Sequence, residues 1–128
     1  MRAFLFVLCI AAVAMGCKKD SQPNSPLFGK WELRIQRSGW QPDKNFAAGN
    51  GNILQFNADS TYKFYVGGAV TKQGTFHIAK PAYAQTPENI NLIYYDKSTD
   101  GELIDVQNDK LTLGSSAADG PSYVYAKK

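Results

Sequence analysis

Histidine is nearly missing from this chain: His77 is the only one among 128 residues, so no histidine cluster is there to hold a metal. Cysteine is almost as scarce. Cys9 and Cys17 are the whole supply and both lie near the N-terminus, which leaves the body of the chain without a disulfide. No glycine-rich phosphate loop is present, because Gly49-Asn50-Gly51 fails the spacing and runs into a strand-like stretch. Lysine and arginine outnumber the acids only 14 to 11 and are scattered rather than gathered into a stripe, so nucleic acid is not an expected partner. The acids sit mainly in turns, where aspartate is expected on conformational grounds alone. These absences leave no support for a cofactor or a catalytic role, and the chain is expected not to be an enzyme.

What is present begins at the N-terminus. Met1-Arg2 is followed by an unbroken apolar run from Ala3 to Ala14, then Met15-Gly16-Cys17. The run is too short to span a bilayer, and a charged start, an apolar middle and small residues ahead of a cleavage point describe an export signal. The composition then changes at once to Lys18-Lys19-Asp20-Ser21-Gln22-Pro23-Asn24-Ser25-Pro26, polar and proline-punctuated, with nothing to bury. Ala14-Met15-Gly16-Cys17 resembles the lipobox of a bacterial lipoprotein signal, with Ala14 where leucine is usual. The resemblance implies that residues 1–16 are removed, that Cys17 is acylated, and that the mature chain is anchored by lipid in the outer membrane of a Gram-negative bacterium. Cys17 is then the only cysteine left, which suits an anchor and not a disulfide. Two or more acyl chains hold stably where one does not. Lys18-Lys19-Asp20 resembles the sorting signal of some surface-exposed lipoproteins, while two lysines lying against anionic head groups explain the same residues more simply. A periplasm-facing and a surface-exposed anchor both stay open.

Residues 27–128 suffice for one compact domain, held on a tether, residues 17–26, that reaches roughly 30 Å when extended. From Trp31 the residues alternate, with Trp31, Leu33 and Ile35 on one face and Lys30, Glu32, Arg34 and Gln36 on the other, which is the period of a half-buried strand. Residues 39–51 read as a loop rich in Gly, Asn and Pro. Strands follow at 52–57 and 61–66 around Asn57-Ala58-Asp59-Ser60, at 70–78 after Gly67-Gly68, and at 89–95, 102–107, 110–113 and 122–126, with Lys80 to Glu88 an irregular loop. Gly74, within a strand, marks a bend or bulge. No stretch after the signal has a helical period. Eight short strands with mostly short connections argue for an all-β, antiparallel up-and-down barrel, whose closure removes exposed edges.

These residues also carry a family resemblance. Gly29-Lys30-Trp31 is similar to the Gly-x-Trp signature of lipocalins, and Gly-Lys-Trp-Glu-Leu, Phe-Asn-Ala-Asp-Ser-Thr-Tyr and Asp-Lys-Leu-Thr-Leu in this order resemble the small lipocalin-like domains of bacterial lipoproteins. The resemblance implies an eight-stranded barrel in which Gly29 and Trp31 belong to the closed end. No arginine follows the last strand to cover the tryptophan, and the chain has no C-terminal helix to pack outside the barrel.

An eight-stranded barrel has an interior that side chains fill, or that holds one small ligand. The alternation nominates Trp31, Leu33, Ile35, Leu54, Phe56, Tyr62, Phe64, Val66, Phe76, Ile90, Leu92, Ile104, Val106, Leu111, Leu113, Tyr123 and Tyr125 for that interior. Trp40, Phe46 and Tyr83 lie in expected loops, as a lid, as stacking platforms for sugars, as anchors for a protein, or as caps on the core. With Phe64, Tyr94 and Tyr125 they are the candidate ligand contacts. Asp96, Ser98 and Asp100 alternate ahead of Gly101 as calcium ligands do, although a hairpin turn accounts for the same residues. His77 lies between Phe76 and Ile78 and is expected to face out. The expectation is a lipid-anchored module for a small apolar or amphipathic ligand, with a filled barrel whose loops engage a glycan or a protein as the alternative.

Overall fold

The computed structural model describes residues 25–80, 90–115 and 120–128, and among them there is no helix. The strands are β1 (Gly29–Ser38), β2 (Gln41–Asn45), β3 (Ile53–Phe56), β4 (Thr61–Val66), β5 (Ala69–Ala79), β6 (Asn91–Tyr95), β7 (Glu102–Gln107), β8 (Lys110–Gly114) and β9 (Ser122–Lys127). Eight of them, β1 and β3 to β9, follow one another in antiparallel order, and β9 pairs back on β1 to close the barrel. The turns use residues that tolerate a left-handed backbone. Gly67 and Gly68 (φ 57° and 85°) join β4 to β5, and Asn108 (φ 51°) opens the connection from β7 to β8.

β2 is the extra strand, formed inside the stretch expected to be a loop. It is exposed along its whole length, so it carries no alternation to read. Its place comes from β1, with Gln36 opposite Lys44, Ser38 opposite Gln41, and an Arg37–Asp43 ion pair of 3.5 Å. The chain then detours through residues 46–52 and rejoins the same edge of β1, Phe46 N donating to Arg34 O at 2.8 Å and Leu33 N to Asn52 O at 2.9 Å. The detour covers Glu32, which is only 3% exposed and takes a bond from Gly49 N at 2.9 Å with Arg34 at 3.2 Å.

Three interior expectations are corrected. β1 bulges against β9 between Leu33 and Ile35, which puts Ile35 opposite Val124 and so on the outer face with Thr112. In β6 the fully buried residue is Ile93, so Ile93 and Tyr95 face inward and Leu92 and Tyr94 outward. The sequence Ile90-Asn91-Leu92-Ile93-Tyr94-Tyr95 is apolar on both parities, which is why alternation alone chose the wrong one. Val66 is 58% exposed because the β4–β5 hairpin runs past the core.

Trp31 closes one end. Its Nε1 donates to Leu27 O at 2.7 Å, Leu27 is itself buried, and the Lys127 ammonium lies 4.3 Å from the indole. Lys127 also donates to Pro26 O at 3.0 Å and to Phe28 O, where it crosses Gly29. A lysine from β9 thus covers the tryptophan where no arginine is available. Above it Leu54, Phe56, Ile93, Leu111 and Leu113 are sealed from solvent, and Phe56 meets Phe76 edge to face at 4.9 Å.

Candidate functional site at the open rim

Because the lower barrel is filled, space for a ligand lies at the other end. Register places five side chains on inward positions there: Phe64 on β4, Lys72 opposite it on β5, Tyr95 on β6, Glu102 opposite Ile93 on β7, and Tyr123 opposite Leu113 on β9. A cleft of about 1120 Å³ passes over the rim, lined by Lys72, Tyr95, Glu102 and Tyr123 and, on the outer side, by Leu92, Tyr94 and Leu103. One side is charged and aromatic, the other apolar.

The rim is braced by Asp96, at the end of β6 with φ 54°. Its Oδ1 accepts from Thr75 N at 3.0 Å, its Oδ2 from the Tyr62 hydroxyl at 2.9 Å, and its own N–H donates to Thr75 O at 2.7 Å. These bonds hold the carboxyl below the usual carboxylate range, the Thr75 N–H contributing most. Tyr62 is pushed up to about 12, by burial first and then by its bond to Asp96. Gly74 makes the arrangement sterically feasible, since a Cβ there would sit 1.8 Å from Asp96 Oδ1. Gly74 is therefore not the site of a bulge. The β5 bulge falls beyond it, where Phe64 faces Lys72 and Tyr65 faces Val70.

Over this brace the Lys72 ammonium lies 6.0 Å from the Tyr62 ring and 5.9 Å from the Tyr95 ring, and those two rings meet edge to face at 4.8 Å. The Tyr95 hydroxyl is buried and has no hydrogen-bond partner among the described residues. Burial raises the Tyr95 and Tyr125 hydroxyls above their ordinary range. It also raises the Glu102 carboxyl, against the opposing pull of Lys72. An unpartnered buried hydroxyl beside a cation and a carboxyl is a place where a polar ligand atom gains more than it would in water.

The candidate contacts divide. Phe64 and Tyr125 lie inside the barrel, Tyr125 buried beneath the rim. Trp40 is 85% exposed at the tip of the β1–β2 hairpin. Phe46 is half-buried outside, with the Lys44 ammonium 5.2 Å from its ring. Tyr94 stacks on His77 on the outer face, centroids 4.9 Å apart. Gly29 and Trp31 are at the closed end. Tyr83 and Cys17 lie outside the described residues. At the calcium candidates the Asp96 carboxylate is directed at Thr75 and Tyr62, and Ser98 Oγ accepts from Asp100 N at 3.1 Å. Among the described residues no group of three or more His, Cys, Asp or Glu is placed to hold a metal.

Lys72, Tyr95 and Glu102 are absent from the sequence-based candidates. A signal for two of them exists: counting back by twos from Phe76 reaches Lys72, and from Ile104 reaches Glu102, each a charge on a core-facing position. The chain matches no known protein family, no curated protein and no solved structure. The functional reading therefore rests on this geometry.

Proposed function

We propose that this protein is a lipid-anchored envelope module that binds a small amphipathic ligand across the open rim of its barrel, without catalysis. The observation that carries the reading is the rim cleft, where the unpartnered Tyr95 hydroxyl, Lys72 and Glu102 stand on one side and Leu92, Tyr94 and Leu103 on the other. The filled lower barrel argues for a ligand at the rim and against one held deep among the core side chains. The lipobox-like segment ending in Cys17, and the resemblance to lipocalin-like lipoprotein domains, support the envelope setting.

The test is native mass spectrometry of the mature chain purified from its own host, before and after organic extraction. An extractable small molecule at stoichiometric occupancy is the expected result. A chain that is empty before extraction sinks the reading. It would favour the alternative, an interaction protein using exposed loops, for which Trp40 at the hairpin tip is the specific observation. The anchor is tested separately: Cys17→Ala is expected to lose the N-terminal acyl mass and to leave the membrane fraction.

A further inference from the structure

We propose that the closed end of the barrel docks on the anionic headgroup surface of the membrane that anchors the chain, so that the rim cleft faces away from it. The proposal rests on the reading of Cys17 as the anchor, because that reading fixes which end of the barrel is near the bilayer. The chain runs from the tether into the closed end, where Leu27 is buried against Trp31 and Lys127 holds the carbonyls of Pro26 and Phe28.

Basic residues gather at this same end. Lys128 N donates to Lys30 O at 2.9 Å, Lys127 N donates to Asp109 O at 2.9 Å, and Lys110 pairs with Ala126 across the β8–β9 ladder. Lys127 has its ammonium committed to two carbonyls and the indole; Lys30, Lys110 and Lys128 are exposed, with the Lys30 ammonium 5.9 Å from the Tyr65 ring and that of Lys128 3.5 Å from Glu32. Among the described residues the acids of the turns there are Asp59 and Asp109, and Glu32, which Lys128 reaches at 3.5 Å, also has Arg34. Lys18, Lys19 and Asp20 in the tether add a net of one positive charge beside the anchor. Among the described residues the open end has no such excess. Its Arg37, Lys44, Lys72 and Lys97 are matched by Asp43, Asp96, Asp100 and Glu102. A charge asymmetry along the barrel axis, with the basic pole at the tether, orients the domain against an anionic surface.

Each lysine brought to such a surface strengthens binding about fivefold. The experiment uses the mature chain from residue 17, carrying Cys17→Ser so that no lipid contributes, mixed with vesicles of phosphatidylglycerol and phosphatidylcholine or of phosphatidylcholine alone. The chain is expected to sediment with the anionic vesicles only, and to come off at high salt. The triple variant Lys30→Gln, Lys110→Gln, Lys128→Gln is expected to lose on the order of 100-fold in affinity. Lys44→Gln with Lys97→Gln, at the open end, is expected to bind as before. Unchanged melting of both variants shows that the fold is intact. Equal binding to both kinds of vesicle, none to either, or an equal loss in the open-end variant overturns the docking. The acyl mass on Cys17, read from the native protein, reports the anchor independently, so the two claims fail in different assays.

Discussion

At the scale of single residues, Tyr95 opposes stability to function. A buried hydroxyl without a partner costs about 1–3 kcal/mol, so Tyr95→Phe is expected to stabilise the fold by about 1 kcal/mol in denaturant melts while reducing the amount of ligand that copurifies. If Tyr95→Phe lowers stability instead, the hydroxyl has a partner within the fold and its role at the rim is lost. Asp96 gives a pH signature. Its folded pKa is depressed by Thr75 N and Tyr62, so its contribution is present above the ordinary carboxyl range and disappears as pH falls through the folded value. Melting temperature followed from about pH 7 down to about pH 3 should fall less steeply in Asp96→Asn than in the parent, once other carboxyls are common to both. Tyr62 acts on the alkaline side. Its pKa is raised to about 12 in the fold, so its contribution is complete below the ordinary phenol value, about 10, and fades above it. Gly74→Ala drives a methyl into the Asp96 carboxylate and is expected to cost about 1–3 kcal/mol, with the Tyr62 phenol shifting back toward its ordinary range in a spectroscopic titration.

At the scale of elements, legibility follows the physical origin of each strand. The strands with one buried face, such as β3, β4 and β8, are legible because burial imposes alternation on the sequence, and Gly67-Gly68 and Asn108-Asp109 mark where the chain turns. β2 left no such mark. Its residues face water on both sides and it exists because β1 offers an unpaired edge. Parity failed where local irregularity or double-sided apolarity intervened, at the bulge before Ile35 and in β6. The candidate site was harder to read, because Lys72, Tyr95 and Glu102 come from three strands, and it is the pairing of β5, β6 and β7 that brings them together. Phe64 and Tyr125 were found as interior residues, whereas Tyr94 lies with Leu92 on the outer face, where it lines the outer side of the cleft. Trp40 tests the β1–β2 hairpin. With its ring 85% exposed, Trp40→Ala is expected to change stability by no more than about 0.5 kcal/mol, and a larger loss would mean that the hairpin tip packs against the barrel.

At the scale of the whole molecule the barrel is polarised. One end is sealed by Trp31, Leu27 and Lys127, and Trp31→Ala is expected to cost about 3–5 kcal/mol because the indole fills the lower core. The other end keeps unspent polar groups at an open cleft. The measurement that tests this division most directly is a map of backbone amide chemical shifts for the extracted, ligand-free chain on adding back the organic extract of its host cells. Shifts confined to Lys72, Tyr95, Glu102, Tyr123 and their neighbours are the predicted result. Shifts centred on the Trp40 hairpin, or none anywhere, would contradict a ligand at the rim.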